Sequence, residues 1–235
     1  MAAMLTRGLQ AMGLDSSHLT GSDESVHLTT NTAQALLRLQ VRARAAGFDL
    51  AVASAYRSYQ RQLLIFNQKA AGLRSVCDDV GQPLSRDQLS DSQWLHAILR
   101  YSALPGTSRH HWGSDIDVYD RAAVDTDYVL QLVPNEYQAQ GPFAEMSDWL
   151  ADLIARDDAE GFFRPYAVDR GGVAPELWHL SYRPDAVAMA GSINEELLTA
   201  VWRNQMLGFD VEPLALVDLV EAQLQQLRAR YWQLD

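Results

Sequence analysis

Ser108-Arg109-His110-His111-Trp112-Gly113-Ser114-Asp115-Ile116-Asp117 carries two adjacent histidines and two aspartates on alternate positions, with a glycine between the pairs. Gly113 lets the chain turn sharply after the histidines, because it has no Cβ to oppose an unusual backbone conformation. From Ser114 to Tyr119 the residues alternate, Ile116 and Val118 against Asp115, Asp117 and Tyr119, which is the period of a strand with one apolar face. Asp117 then points away from the core side chains. A second run, Leu177 to Tyr182, also reads as a strand and carries His179, with Glu176 three residues before the histidine. One carboxylate and two imidazoles suit zinc in a tetrahedron, and three protein ligands leave a fourth position for water. The spare carboxylate can take that water's proton. The inventory is that of a hydrolytic zinc centre.

Upstream of this stretch, Thr30 or Asn31 caps a helix through about Ala46, with Ala33, Leu37, Val41 and Ala45 stacked at i+4 and Gly47 ending it. Residues 48–55 alternate at Phe48, Leu50 and Val52 and read as a strand. Ser58 caps a helix over about Tyr59 to Ala71. Gly72 to Ser90 has no periodicity, contains Gly81 and Pro83, and reads as a loop able to cover the site. Asp91 or Ser92 caps a helix to about Tyr101, and Pro105-Gly106 turns the chain toward Ser108.

Downstream, Tyr128 to Val133 reads as a further strand, and Phe143 to Arg156 as an amphipathic helix with Met146, Leu150, Leu153 and Ile154 inward. Phe162 to Tyr166 reads as a strand, and Gly171-Gly172 as a tight turn. Asp185–Ala190, Ile193–Leu207 and Pro213–Trp232 read as helices. The last carries Leu216, Leu219, Val220, Leu224 and Leu227 on one stripe, which is either core packing or a dimer face. The expected class is α+β: a small, mainly antiparallel sheet with flanking helices and a helical C-terminal extension. Residues 1–29 are expected to form an arm with a short helix, 30–184 the zinc domain, and 185–235 helices packed on that domain.

The chain has 235 residues, enough to bury a full core. Its hydrophobic fraction of 48% and charged fraction of 21% are those of a globular domain. No apolar run reaches the roughly 18 residues that span a bilayer. A formal charge of −11 argues against a nucleic-acid partner, whose phosphates would repel it. The single cysteine, Cys77, excludes an intramolecular disulfide and a multi-cysteine zinc site. Met1 to Leu14 lacks the continuous apolar core of a secretory leader, so a cytoplasmic location is expected, or a periplasmic one if an export signal has been removed. The oligomeric state stays open.

Three blocks carry a family resemblance. Ser108, His110, Gly113 and Asp117 fit Ser-x-His-x-x-Gly-x-x-x-Asp; Glu176 to His179 fit Glu-x-Trp-His; and Ser54-Ala55-Tyr56-Arg57-Ser58-Tyr59 with Gln62 fit Ser-x-Tyr-Arg-Ser-Tyr…Gln. Together, in this order, they resemble the zinc D-alanyl-D-alanine carboxypeptidases of the VanY type, grouped with lysostaphin-type peptidases and the Hedgehog signalling domain. The resemblance runs from about Thr30 to Pro184, and departs at Leu177, where the family often has proline. It implies that His110, Asp117 and His179 hold Zn²⁺, with Asp117 preferred over Asp115 by spacing. Asp115 is then free to fix an imidazole, and His111 lies one residue out of register. The resemblance implies Glu176 as general base, and Arg57 as the cation facing an oxyanion or a substrate carboxylate. Ser108 and Gln62 would hold the end of a peptidoglycan-derived peptide. Trp178 is expected to pack behind His179, while His27 and His96 are expected to be structural. An L,D-carboxypeptidase acting on tetrapeptides, or a non-catalytic zinc-bearing binding module, would use the same metal ligands.

Overall fold

The computed structural model describes residues 2–20, 27–206, 208 and 211–232. At its centre is a four-stranded, wholly antiparallel sheet in the order β1-β2-β4-β3, formed by β1 (Leu50–Ser54), β2 (Asp115–Asp120), β3 (Phe162–Phe163) and β4 (His179–Tyr182). Ile116 and Val118 of β2 and Leu180 of β4 point to one face. There they meet Leu36 and Leu39 of α2 (Thr30–Ala45), and Leu150 and Leu153 of α6 (Ala144–Ala155). The opposite face carries Asp115, Asp117, His179 and Ser181, and it too is buried. The alternation expected for the second stretch is thus present, with both faces covered.

The buried side of α2 differs from the expected one. Thr29 caps the helix, and Thr32, Ala35, Leu36, Leu39 and Ala43 face the sheet. Leu37 is 62% exposed and Val41 59%. A pure i+4 series overshoots each full turn by about 40° and winds off any one face. The mixed i+3 and i+4 series is the one that stays on it.

Tyr128 to Val133 forms no strand. The backbone N–H groups of Gln131 and Val133 and the Tyr128 hydroxyl donate to the buried Glu136 carboxylate, and Leu132 turns through the left-handed region at φ 55°. A loop wrapped on one carboxylate replaces the ladder, and leads into the short α5 (Pro134–Tyr137). The strand expected over Phe162 to Tyr166 stops at Phe163, two residues before Pro165, which has no N–H to continue it.

A larger core lies beside the sheet. Tyr59, Leu63 and Phe66 of α3 (Tyr59–Ala70) and Trp94 and Ile98 of α4 (Asp91–Leu99) pack against residues from the chain's last third. That third holds β3 and β4 and the helices α7 (Arg183–Ala190), α8 (Glu195–Trp202), α9 (Val217–Ala222) and α10 (Leu224–Tyr231). The helix expected to reach Leu207 ends at Trp202; Leu207 itself lies outside the described residues. The helix expected over Pro213–Trp232 is two helices parted at Gln223. Val220 and Leu227 of the tail stripe are fully buried in this core, so the stripe is filled within the chain. Trp202 is fully buried too, and its indole N–H donates to the Pro105 carbonyl at 2.9 Å, fixing the turn that leads to Ser108. The N-terminal helix α1 (Ala2–Ala11) supplies Ala11, whose carbonyl accepts from Trp112 at 3.2 Å. No described helix is long and apolar enough to cross a membrane.

Candidate active site

Strand register brings the key side chains together. Asp117 of β2 lies directly opposite His179 of β4, and Ser54 of β1 lies opposite Asp117 on the other side, just after a shift in the β1 register. Directly opposed residues have Cβ atoms about 5 Å apart, so two short polar side chains on one face must meet. His110 arrives from the one-turn 3₁₀ helix Arg109–Trp112. Gly113 ends that turn at φ 70°. A Cβ there would displace the end of the Leu19 side chain, and the left-handed backbone is what calls for glycine.

His110 Nε2 is 3.3 Å from Asp117 Oδ2, and His179 Nδ1 is 3.3 Å from Asp117 Oδ1. One donor atom from each of the three residues lies within 4.8 Å of the others. An ion held tetrahedrally by bonds of 2.0–2.2 Å needs donor–donor edges of about 3.4 Å. Asp117 Oδ1 and His179 Nδ1 are buried with no hydrogen-bond partner, which is costly unless something else meets them. These three residues could therefore hold a metal ion.

The far side of each imidazole is fixed. His110 Nδ1 lies 2.8 Å from the Ala55 carbonyl, an acceptor only, so Nδ1 carries the proton and Nε2 faces the site. His179 Nε2 lies 2.9 Å from Asp115 Oδ1, so Nδ1 faces the site. Asp115 thus lies behind His179 and not on the side of the ring that faces the triad. The same oxygen accepts from Arg109 Nε at 2.9 Å, while Ser114 Oγ donates to Oδ2 at 2.6 Å. Arg109 is only 3% exposed; it lies over Trp112 and donates from Nη2 to Ser181 Oγ at 2.7 Å. Sequence reading passed over Arg109 because its partners come from β2 and β4, and only the folded register joins them. Tyr166, equally unsignalled, packs its ring edge on His179, with ring centroids 5.0 Å apart.

The electrostatics favour positive charge at the triad. Burial alone would raise both aspartates. The Arg109 guanidinium and the His179 hydrogen bond hold Asp115 below the usual carboxylate range, and His110 and His179 do the same for Asp117. His179 is pushed up to about 9: burial opposes its charge, but the two aspartates on either side of the ring outweigh it. A cation of either kind, proton or metal, is stabilised between them.

Glu176 sits just before β4, its Oε2 3.5 Å from His179 Nδ1. Burial raises its carboxyl to about 7, with Asp117 adding to the rise and His179, Arg57 and Lys69 opposing it. A carboxyl near 7 exchanges protons readily at neutral pH. Arg57 lies on the same cleft. Its Nη1 donates to Gln62 Oε1 at 2.9 Å, and its Nη2 to Ser54 Oγ at 3.4 Å. Burial lowers its pKa, and the charges of Asp117 and Glu176 act the other way.

The other expected residues separate. Ser108 lines the cleft, and its hydroxyl bonds no described residue. Gln62 does not reach the cleft wall: it is fully buried, and its amide bridges Arg57 to the Ala103 carbonyl at 2.7 Å. Any action on a substrate must run through Arg57. His111 is buried against the Arg57 carbonyl at 2.6 Å, and its Nε2 accepts from Gly106 N at 3.0 Å, so it braces the backbone that presents Arg57. Burial lowers its pKa to about 3, so it is neutral there. Trp178, expected to pack behind His179, packs instead on Tyr137, and its carbonyl accepts from Val118 N. His96 holds the Tyr231 hydroxyl at 2.8 Å.

The cleft over these groups has a volume of about 470 Å³. Arg74, Ser75, Cys77, Asp78 and Gly81 of the 72–90 loop line it, and so do Tyr231 and Trp232 of the tail. The loop expected to cover the site is thus part of its wall.

The family described as VanY, D-alanyl-D-alanine carboxypeptidase, matches residues 25–185, which include Arg57, Ser108, His110, Asp117, Glu176 and His179 but not the tail residues that line the cleft. The chain belongs to that family and is a hydrolase of the carboxypeptidase type. An uncharacterised protein of Haemophilus influenzae is 34% identical over 110 residues, or 46% of this chain and 82% of its own length. Among solved structures, VanYB in complex with D-alanine-D-alanine aligns with a TM-score of 0.49 at 22% identity, over 77% of this chain and 87% of that one. A mutant of the vancomycin-resistance D,D-pentapeptidase VanY, in complex with Zn(II), aligns with a TM-score of 0.49 at 22% identity, over 78% and 92%.

Proposed function

We propose that this protein is a zinc-dependent D,D-carboxypeptidase that removes the terminal D-alanine of peptidoglycan-type peptides. The observation that carries the reading is the triad His110, Asp117 and His179 with the Glu176 carboxylate 3.5 Å from His179. Two imidazoles, each 3.3 Å from an oxygen of one carboxylate, with one donor atom of each residue within 4.8 Å of the others, suit zinc, which accepts mixed nitrogen and oxygen ligands in a tetrahedron. Bound there, zinc supplies Lewis acidity to the scissile carbonyl and lowers the pKa of water.

The chain's own residues do the rest. Ala55 and Asp115 hold the two ring tautomers that present Nε2 of His110 and Nδ1 of His179. Glu176 takes a proton from the attacking water and returns one to the leaving amine. Its raised pKa suits both halves of that exchange. Arg57, clamped by Gln62 and Ser54, faces the negative charge that develops on the carbonyl oxygen. Ser108 offers a free hydroxyl to the end of the peptide. Glu176 and Arg57 together favour an enzyme over a zinc-bearing binding module, which needs no proton acceptor.

The test is metal analysis of the purified protein, joined to D-alanine release from a pentapeptide ending in D-Ala-D-Ala and from the matching tetrapeptide. About one zinc per chain with release from the pentapeptide is the expected result. Release from the tetrapeptide alone would replace the D,D reading with an L,D one. Stoichiometric zinc with no release from either would favour the binding module.

A further inference from the structure

Four cations line the cleft: Arg57, Lys69, Arg74 and Arg109, of which Arg109 is paired with Asp115. Most other clustered arginines of this acidic chain are paired. Arg42 meets Asp158 and Glu160, Arg100 meets Asp79 and Asp169, and Arg203 meets Asp218 and Glu221. Lys69 and Arg74 form no hydrogen bond or ion pair through their side chains with any described residue. In a chain with 30 acidic and 19 basic residues, neighbouring cations left without carboxylates are unexpected. Asp78 lines the same wall, but its Oδ1 accepts from the backbone of Val80 and Gln82 and is held in that turn.

The placement follows from α3. Arg57 precedes the helix and reaches forward to Gln62. Lys69 lies in its last turn, and helical side chains tilt back toward the N-terminus. Seven residues from Gln62 to Lys69 span about 10 Å of axis, and the lysine stem recovers roughly half of that. Arg74 comes in from the loop after the helix. Apart from the Arg109–Asp115 pair, the cleft therefore has two centres of positive charge. One, Arg57, faces Asp117 and Glu176; the other, Lys69 with Arg74, lies further from the triad.

We infer that Lys69 and Arg74 form a second anion subsite, and that the natural substrate carries an acidic group within about two residues of the scissile bond, in addition to its terminal carboxylate. This rests on the carboxypeptidase reading, in which Arg57 and Ser108 serve the reacting end. An extended peptide advances about 3.3–3.6 Å per residue, so a carboxylate one or two residues away spans the gap between the two centres. The Lys69 ammonium is pushed down to about 8 by burial and then by the repulsion of Arg74 and Arg57. A bound carboxylate would relieve both.

The test uses the zinc-loaded protein and peptides with a free C-terminal D-alanine. They carry glutamate or glutamine, as L or D isomers, at either of the two positions before the scissile bond. At one position the acidic peptide should be preferred over its neutral match by 10- to 100-fold in kcat/KM. In the Lys69→Met/Arg74→Gln double variant this ratio should fall to about one. A ratio near one in the unaltered enzyme at both positions, or a preference that survives in the double variant, overturns the subsite. The same peptides are also titrated against the zinc-loaded Glu176→Gln protein, where binding is read without turnover. An acidic preference there, lost on adding the two subsite changes, keeps the subsite even if the active protein hydrolyses nothing, and then only the carboxypeptidase reading falls. Equal binding of acidic and neutral peptides overturns the subsite regardless of turnover. The thermal midpoint separates a structural role: removing a half-buried, unpaired ammonium should leave it unchanged or raise it, and a fall of more than about 5 °C would mark Lys69 as a fold-holding residue instead.

Discussion

Asp115→Asn isolates the charge behind His179, the proposed metal ligand, while leaving the shape intact. Asp115 Oδ1 accepts from both Arg109 Nε and His179 Nε2, and Oδ2 accepts from Ser114 Oγ. An asparagine with its carbonyl in the Oδ1 position keeps the first two bonds. Its amide nitrogen can donate to Ser114, whose hydroxyl rotates to accept. What disappears is the negative charge opposite a guanidinium that is only 3% exposed. Breaking a buried ion pair by removing one partner costs about 3–5 kcal/mol. Because the hydrogen bonds survive, the lower end applies, and about 3 kcal/mol should lower the melting point by roughly 6–12 °C in a chain of this size. The second effect is on His179, which loses the partner that makes it a more basic ligand. Changes of this kind typically weaken metal binding 10- to 100-fold. Competition with a chelator of known affinity measures the second effect, and calorimetry the first. Zinc affinity within threefold of the unaltered protein would refute the argument, since Asp115 would then contribute nothing through His179.

Other expectations are quicker to check. Glu176→Gln should keep its zinc and lose 10²–10⁴-fold in kcat, the range for a positioned general base; loss of the metal in that variant would make Glu176 a ligand instead. Arg57→Lys should cost about 10²-fold in kcat, because an ammonium cannot keep the bonds to Gln62 and Ser54 while facing the carbonyl oxygen; rates within threefold would remove Arg57 from the reaction. A peptide ending in D-Ala-D-Ala amide should be hydrolysed far more slowly than the free acid, and equal rates would point to an endopeptidase. Lys69 has its folded pKa depressed from 10.5 to about 8, so between those values the unfolded chain holds a proton that the folded protein has lost. Its contribution to stability therefore rises with pH across that window, and Lys69→Met should flatten this part of the pH–stability curve; an unchanged curve would show that Lys69 titrates normally.

The parts legible in the sequence were those set by local period and by motif spacing. Asp115 to Asp120 and His179 to Tyr182 could be read as strands because Ile116, Val118 and Leu180 alternate with polar residues, and the register then placed Asp117 against His179 without further assumption. Tyr128 to Val133 misled for the opposite reason. It is an almost continuous apolar and β-branched run, but the buried Glu136 offers its backbone a better set of partners than a strand edge. Gln62 was expected to hold the end of the peptide; it bridges Arg57 to the carbonyl of Ala103 instead, a partner 41 residues away that no local period announces. Arg109 and Lys69 had no motif to announce them. Their roles come from what the folded chain places beside them, or leaves out.

The pairing of β2 with β4 has a consequence for how the protein would respond to losing an ion. Asp117 and His179 are Cα partners, yet about sixty residues of chain run between them, and a metal ligated by both would close that loop as a cross-link does. An ion that binds only the folded form at a hundred times its dissociation constant adds about 2.7 kcal/mol to stability. Here that gain would be concentrated on the segment from Val118 to Trp178, which carries α5, α6 and the loop wrapped on Glu136. Chelation would then show itself first as new protease cleavage within this segment, with the α3–α4 core still resistant, so that for this fold a metal-dependence curve is also a map of which half of the chain lets go first.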